Sequence, residues 1–260
     1  MGRKRRRRSW RVWNHTLVCS MNAALIFAGG AGQRMNTRTK PKQFLELHGK
    51  PILIHTIDIF ELHPEVDAIV VVCLEQWIPY ARRLMRHYQI EKVQWIVPGG
   101  ETGQQSIRSG LDALESAGLP GDTLVLIHDG VRPLIDFDTI SRNIACAKEY
   151  GNAITVTPAV ETIIDVTPQD EVHNIMDRSI CRLARAPQTF RLADILDAHR
   201  RAVRDGNMNM IDSAMLMSRY GAKLHIVEGP VENIKITTPS DFYIFRAIFE
   251  ARENSQIWGI

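Results

Sequence analysis

Short apolar runs alternate with amphipathic segments over more than half of this 260-residue chain. Runs typical of buried strands span residues 22–28, 66–73, 92–97, 124–128 and 153–157. Segments with helical spacing of apolar residues span 51–62, 77–88, 102–117 and 136–150, the first of them beginning with a proline. Because such an alternation is built from right-handed crossovers, it predicts a three-layer α/β fold with a mostly parallel sheet covered on both faces.

The alternation breaks after residue 158. Two short β-like runs, 160–166 and 171–176, flank a turn, and they predict a hairpin arm over about 159–180 that is inserted into the α/β body. Further helices are predicted at 192–204 and 213–219, further strands at 223–227 and 233–237, and a last helix from Asp241 that Ser240 caps. We therefore expect one folded body over 22–252 and a C-terminal tail at 253–260.

The basic charge of the chain lies at its N-terminus. The first twenty residues hold seven lysines and arginines and no acid, which leaves 25 basic and 29 acidic residues for the rest. A body of about −4 net charge argues against nucleic-acid binding. A signal peptide or twin-arginine signal needs an apolar stretch, which Arg11, Asn14 and His15 interrupt. We expect residues 1–21 to be a disordered extension or upstream of a true start at Met21, with a basic arm for nucleic acid or lipid as the alternative.

Composition excludes several further classes of protein. The sequence has no run of 18 apolar residues, so we expect no membrane span. The four cysteines are isolated from one another and from histidines, which argues against a zinc site or a disulfide scaffold. Isolated thiols of this kind are typical of a reducing cytoplasm.

A glycine-rich loop, A-G-G-A-G-Q-R-M, follows the first strand at residues 28–35. Glycines allow backbone N–H groups to approach a polyphosphate closely, although a plain tight turn would also use them. A P-loop is excluded because G-K-[S/T] is absent, and a dinucleotide fingerprint is excluded because Met35 stands where its third glycine belongs. Arg34 and Lys42 follow closely and suit triphosphate recognition, with a solvated loop lysine as the alternative for Lys42.

Two further candidates lie later in the chain. Asp129 follows the fourth strand in H-D-G-V-R-P, and a carboxylate at the end of a parallel strand points to Mg²⁺ beside phosphates, or to a turn or cap. His128 is expected to be structural. Lys235 alternates with isoleucines in N-I-K-I-T on the strand predicted at 233–237. A buried lysine needs an anionic partner, and phosphate is the natural one.

Five motifs in order, A-G-G-x-G-x-R-M, P-K-Q-F, H-D-x-x-R-P, P-Q-T-F and N-I-K-I-T, resemble the cytidylyltransferases of sugar-alcohol phosphates over about residues 22–250. The resemblance implies a Rossmann-like nucleotidyltransferase fold over 22–252. It also implies that CMP is transferred from CTP to a polyol phosphate, D-ribitol 5-phosphate or 2-C-methyl-D-erythritol 4-phosphate, with Mg²⁺ and release of pyrophosphate. The phosphate that attacks is already ionised, so no strong general base is expected.

Site residues follow from the same resemblance. The catalytic residues would be Arg34, Lys42 and Lys235, and CTP would be bound by Ala28, Gly29, Gly30, Gly32, Gly100, Ser106 and Asp129, the last also supporting Mg²⁺. Thr162, Arg178 and Asp212 would reach the acceptor, the first two across a homodimer interface formed by the hairpin arm.

Three positions depart from the family pattern. Ala186 and Ile211 replace threonines on the acceptor side, and Gly103 replaces an arginine. The acceptor therefore stays open, although P-K-Q-F-L and N-I-K-I-T-T-P are closer to the ribitol-phosphate members. An NDP-hexose-type nucleotidyltransferase and a non-catalytic regulatory paralogue are the alternatives. The intact Lys42 and Asp129 disfavour the paralogue, and a dinucleotide-binding oxidoreductase is disfavoured further.

Overall fold

A computed structural model describes residues 21–29 and 40–258. The expected N-terminal extension and the loop residues Gly30, Gly32 and Arg34 lie outside the described ranges. The strands are β1 Asn22–Ala28, β2 Glu46–Leu47, β3 Lys50–Pro51, β4 Ala68–Cys73, β5 Val93–Pro98, β6 Leu124–Asp129, β7 Asn152–Pro158, β8 Ile164–Val166, β9 Val172–Ile175, β10 Arg182–Arg191 and β11 Ile226–Glu228. The α-helices are α1 Ile52–Leu62, α2 Ile78–His87, α3 Gly103–Ser116, α4 Phe137–Tyr150, α5 Leu192–Arg204, α6 Ser213–Arg219 and α7 Pro239–Trp258.

Seven strands form the central sheet in the order β11-β7-β10-β6-β1-β4-β5. β10 is antiparallel to both of its neighbours, and the other pairs are parallel. The mostly parallel sheet of the prediction is therefore confirmed. The strand β10 was not predicted, because its sequence R-L-A-R-A-P-Q-T-F-R has no regular alternation and contains Pro187. The structure accommodates this proline at an irregularity of the β10–β7 pairing between Ala184 and Gln188.

Helices cover both faces of the sheet and create two apolar cores. The helices α1, α2 and α4 pack on the face that carries Ala24 and Ile26 of β1. The helices α3, α5 and α6 pack on the face that carries Ala23 and Leu25. The alternation of successive β1 side chains between these two cores is the period of a strand buried on both sides, so the three-layer prediction is confirmed.

A third, smaller core lies beyond the sheet and holds the C-terminal helix. Ile236 and Phe245 are fully buried in it together with Val131 and Leu134, which follow β6. This packing ties the segment 233–237 to the carboxyl end of β6.

The C-terminal predictions need correction. Residues 233–237 are not a strand, because their backbone pairs with a loop: the Ile236 N–H donates to the Val131 carbonyl at 2.9 Å. The last helix begins at Pro239, two residues before the predicted start, and the Asp241 carboxylate accepts the N–H groups of Thr237 and Thr238 at its N-terminus. Residues 253–258, expected to be tail, continue this helix.

The hairpin arm is present as predicted. β8 and β9 form an antiparallel two-stranded sheet that is separate from the central one. All seven residues of its two strands are exposed. Within the part of the chain that is described, no helix combines the length and the apolar character needed to cross a bilayer.

Candidate active site

The carboxyl ends of β1 and β6 lie side by side and place Asp129 in the centre of the site. Phe27 is the parallel partner of Asp129, and the Gly130 N–H donates to the Phe27 carbonyl at 2.9 Å. The Asp129 side chain is buried between two cations: Oδ2 accepts from Arg132 Nε at 2.7 Å, and Oδ1 lies 2.6 Å from Lys235 Nζ. The sequence predicted a carboxylate at this edge of the sheet, and the structure has one there.

The electrostatics of Asp129 follow from this position. Burial alone would raise the pKa of its carboxyl, but the charges of Lys235 and Arg132 and their hydrogen bonds outweigh burial and lower the pKa to about 2. Asp129 is therefore a carboxylate throughout the neutral range. His128, one residue earlier, is fully buried with Nε2 3.1 Å from the Arg132 carbonyl oxygen, and burial is the main reason that its pKa falls to about 4. This neutral imidazole contacts the Arg132 backbone and so helps to hold the turn that follows β6.

Lys235 reaches the site from the segment 233–237. Asn233 anchors the segment, because its Nδ2 donates to the Ala186 carbonyl at 2.7 Å and its own carbonyl accepts from Arg132 Nη1 at 2.9 Å. The expectation of a buried lysine on a strand was wrong, since the Lys235 side chain is 41% exposed and pairs with a carboxylate. An extended loop that faces a cleft leaves the ammonium open to a second, incoming anion.

Lys42 lies next to Lys235 although the two are far apart in the chain. It begins a single 3-10 turn, Lys42–Phe44, and its Nζ donates to the Ile236 carbonyl at 3.0 Å. In the same turn, Gln43 Nε2 donates to the Ala28 carbonyl at 2.6 Å, which holds the P-K-Q-F motif against the end of β1. The two predicted lysines are thus brought together through the segment 233–237, Lys42 on the Ile236 carbonyl and Lys235 on Asp129.

Three of the residues predicted to bind nucleotide, Gly29, Gly100 and Ser106, meet at the N-terminus of α3. A Cβ built on Gly29 would lie 3.0 Å from Ser106 Oγ, so only a glycine permits this close approach without displacing Ser106. Ser106 Oγ accepts the Gly100 N–H at 3.2 Å and donates to the Thr102 carbonyl at 2.9 Å. A capping box between Thr102 and Gln105 begins the helix. The N-terminus of a helix favours bound phosphate, and Gly29 lies beside this one.

A cavity of about 280 Å³ opens beside Asp129 on the α3 side of the sheet. Its charged wall contains Asp129, Arg132, Lys235 and Arg185. Other parts of its wall come from the starts of α3 and α6, from α5 and from residues 210–212. With three cations and two carboxylates, Asp129 and Asp212, the wall keeps a net positive charge that suits an anionic ligand.

Asp212, which was predicted to reach the acceptor, lies in the cavity wall. It caps α6 by accepting the Met215 N–H at 2.8 Å, and its other carboxylate oxygen accepts from Gln188 Nε2 at 2.9 Å. Ala186 and Ile211, where the resemblance expects threonines, line the same cavity. Gln188 Oε1 accepts the Ala214 N–H at 2.8 Å, which ties α6 to the irregular part of β10.

Thr162 and Arg178 lie on the arm and do not line this cavity. Arg178 is exposed, and its Nη1 donates to the Val160 carbonyl at 2.7 Å within the arm. A single chain therefore does not bring these two residues to Asp129. Their predicted role requires a second subunit.

Sequence reasoning missed three residues of the site. Arg132 and Asn233 stand inside recognised motifs, and their positions next to Asp129 and Lys235 were a usable signal. Arg185 had none, because it lies on the unpredicted β10. It is half-buried in the cavity wall, its Nε is 3.4 Å from Thr157 Oγ1, and no carboxylate among the described residues pairs with it. Burial, followed by the charge of Arg132, lowers its pKa.

The chain is similar in sequence to known cytidylyltransferases. The family model described as IspD, 2-C-methyl-D-erythritol 4-phosphate cytidylyltransferase, matches residues 22–251. A ribitol-5-phosphate cytidylyltransferase of Streptococcus agalactiae is 52% identical over 240 residues, which is 92% of this chain and 100% of that protein. The protein of the same name from Vibrio parahaemolyticus is 53% identical over 239 residues, again 92% and 100% of the two chains. A 2-C-methyl-D-erythritol 4-phosphate cytidylyltransferase of Syntrophotalea carbinolica is 40% identical over 227 residues, 87% and 95% of the two chains.

Solved structures agree with the fold. The crystal structure of 4-diphosphocytidyl-2C-methyl-D-erythritol synthase from Anaerococcus prevotii matches with a TM-score of 0.76 at 25% identity and covers 89% of this chain and 96% of that one. The crystal structure of the Francisella tularensis 2-C-methyl-D-erythritol 4-phosphate cytidylyltransferase matches with a TM-score of 0.74 at 28% identity, covering 88% and 99%. The chain belongs to the IspD family and is a cytidylyltransferase.

Proposed function

We propose that this protein transfers CMP from CTP to D-ribitol 5-phosphate and releases pyrophosphate. The observation that carries the proposal is that Lys42 reaches the Ile236 carbonyl while Lys235 pairs with Asp129 in the wall of the cation-lined cavity. In the proposed arrangement CTP binds near Gly29 and the start of α3, and the acceptor phosphate binds in the cavity. An acceptor phosphate oxygen attacks the α-phosphorus of CTP, a new P–O bond forms, and the bond to the β-phosphate breaks with pyrophosphate as the leaving group.

The two lysines provide the chemistry that this reaction needs. Negative charge builds up on the oxygens around the α-phosphorus and on the departing pyrophosphate, so fixed cations stabilise the transition state more than the ground state. The Lys42 ammonium is held by the Ile236 carbonyl and the Lys235 ammonium by Asp129, so both need little reorganisation. The acceptor phosphate is ionised at neutral pH and needs no general base, which agrees with a histidine, His128, that is neutral and inaccessible.

Asp129 suits Mg²⁺ as a single carboxylate ligand. No group of three or more His, Cys, Asp or Glu side chains that could hold a metal occurs in the described ranges. Magnesium at nucleotide sites is held by one or two carboxylates together with substrate phosphates, and Asp129 is an ionised carboxylate beside the proposed phosphate positions. When bound, the ion would neutralise charge on the triphosphate.

Charge in the cavity wall supports a phosphorylated acceptor, and the relatives support D-ribitol 5-phosphate in particular. Arg132 and Arg185 present two guanidiniums in the cavity wall, and only the first has a carboxylate partner among the described residues. The second suits a phosphate monoester. The ribitol-5-phosphate cytidylyltransferases named above are 52–53% identical to this chain, whereas a relative named for methylerythritol phosphate is 40% identical.

We further propose a homodimer in which the arm of each subunit completes the partner's site. Six apolar side chains of the arm are at least half exposed, with Ile180 at 80%; they are Val160, Ile164, Val166, Val172, Ile175 and Ile180. Exposed apolar strands with open edges favour a partner surface. Arg178 and Thr162 would then reach the acceptor of the neighbouring subunit.

The three described cysteines, Cys73, Cys146 and Cys181, are free thiols, which supports a cytoplasmic location.

A pyrophosphate-release assay tests the reaction. We expect turnover with CTP, Mg²⁺ and D-ribitol 5-phosphate, and kcat/KM at least about tenfold lower with 2-C-methyl-D-erythritol 4-phosphate, a ratio equivalent to about 1.4 kcal/mol of transition-state binding. Faster turnover of the methylerythritol phosphate would refute the acceptor assignment. Equal turnover with UTP, ATP or GTP would instead favour the NDP-hexose alternative.

A further inference from the structure

Two buried polar side chains in the cavity wall have no hydrogen-bond partner among the described residues. They are Ser213, at the start of α6, and His199, in the middle of α5. Ser213 is 3% exposed and His199 is 2% exposed. The atoms without a partner are Ser213 Oγ and His199 Nε2. A buried polar atom left unsatisfied costs about 1–3 kcal/mol, so two in one cavity call for a ligand that satisfies them.

These two groups differ in chemistry from the charged side chains around Asp129. The cavity wall also contains apolar side chains, among them Ile107 and Leu216. Burial, and then the charge of Arg108, lowers the pKa of His199 to about 4, so the ring is neutral at pH 7. A neutral imidazole and a hydroxyl can each exchange hydrogen bonds with an alcohol. Neither matches a phosphate as well as the guanidiniums do.

We propose that Ser213 and His199 bind hydroxyl groups of the acceptor's polyol chain and thereby set acceptor specificity. The inference rests on the proposed function. The acceptor is favoured over the ribose of CTP because the predicted nucleotide residues Gly29, Gly100 and Ser106 do not line the cavity. Asp212, on the acceptor side, does line it and directly precedes Ser213.

The departures from the family pattern agree with this placement. Ala186 and Ile211 present no hydroxyl to the cavity where threonines were expected. Polar contacts for the acceptor must then come from elsewhere in the wall. Ser213 Oγ and His199 Nε2 are buried polar atoms that pair with no other described residue.

The test measures KM separately for the two substrates. Ser213→Ala and His199→Gln are each compared with wild type in the pyrophosphate-release assay, with D-ribitol 5-phosphate varied at saturating CTP and then the reverse. Loss of one neutral hydrogen bond should raise KM for the acceptor by about three- to tenfold. KM for CTP should stay within twofold of wild type. On a monodeoxy acceptor that lacks the contacted hydroxyl, the variant and wild type should have the same KM.

Thr123→Val is the matched control. Thr123 Oγ1 is also buried without a partner among the described residues, but Thr123 does not line the cavity. We expect no change of either KM in this variant. The melting temperature of ligand-free Ser213→Ala should not fall, because its hydroxyl has no internal bond to lose. A marked fall would show an internal structural role and overturn the proposal.

The remaining outcomes also decide the question. A raised KM for CTP alone would assign the groups to the nucleotide, and unchanged KM values in both variants would assign them to water; either result refutes the inference. Failure of the proposed function itself would be detected in the activity of the wild-type protein with D-ribitol 5-phosphate. If wild type prefers another polyol phosphate, the ratio of variant to wild-type KM is measured with that acceptor.

Discussion

Replacement of Lys235 by alanine tests the charge arrangement on which the mechanism depends. The backbone of 233–237 is anchored by Asn233 and by the Ile236 N–H, so the segment should keep its place without the ammonium. Asp129 loses one of its two cations but keeps Arg132 at 2.7 Å. The substitution therefore removes a charge from the reaction without leaving a buried carboxylate unpaired.

The magnitudes follow from these contacts. An ammonium about 4 Å from a developing charge contributes about 4 kcal/mol at an effective dielectric constant near 20. Removal of one preorganised electrostatic group lowers kcat by about 10²- to 10³-fold, in line with that figure. The effect on folding is smaller, because the Lys235 side chain is 41% exposed. We expect a loss of about 1 kcal/mol in the free energy of unfolding, which shifts the melting temperature by about 2–4 °C.

The assay is pyrophosphate release at saturating CTP and acceptor, together with a thermal melt. Lys50→Ala is the matched control, since Lys50 is also a partly buried lysine paired with a carboxylate, Asp58, but lies outside the cavity wall. Lys50→Ala should keep near-normal turnover. Lys235→Ala turnover above a third of wild type, or an equal loss in Lys50→Ala, would refute the electrostatic role.

Three other predictions concern the acceptor, the dimer and pH. Arg185→Leu should raise KM for the acceptor by about tenfold or more, the effect of losing a charged hydrogen bond, with KM for CTP unchanged; an unchanged acceptor KM would remove it from the site. Mixing inactive Lys42→Ala and Arg178→Ala chains should restore roughly a quarter of wild-type activity if sites are shared across a two-fold axis, and no recovery despite confirmed exchange would exclude sharing. Because His128 and His199 have pKa values of about 4 in the folded state, below the ordinary 6.5, the unfolded chain binds more protons under acid. Stability should thus fall by about 2 kcal/mol per ring from pH 7.5 to 5, and urea titrations showing constant stability would contradict this.

Local sequence patterns were enough to predict most of the parallel strands and the helices that connect them. The run 22–28 was predicted as a strand and is β1. An almost continuous apolar run of this length is typical of a strand whose two faces are both buried. The helix over Phe137–Tyr150 was predicted within one residue of its observed start. Asp136 caps it, and Gly151 ends it with a left-handed φ of 84°.

Elements whose pairing is decided over long range were missed. β10 is a ten-residue strand in the middle of the sheet, yet its arginines and Pro187 follow no period of two. Its strand state comes from pairing with β6 and β7, with the proline placed at the irregular step. Residues 233–237 show the reverse case. Their alternation is that of a strand, but they lie in a loop that α7 and the segment after β6 hold in place.

The sequence alone determined the class of fold and the family and predicted Lys42, Asp129 and Lys235 as site residues, because periodicity and ordered motifs are properties of the chain itself. It could not determine that Lys42 reaches the carbonyl of Ile236, the residue next to Lys235, since Lys42 and Lys235 are 193 positions apart in the chain. Nor could it indicate that Arg185, Ser213 and His199 share one cavity, because they come from three elements that only packing brings together. Charge and burial act through distance in space, so the tertiary structure decided which polar groups are paired and which are left for a substrate.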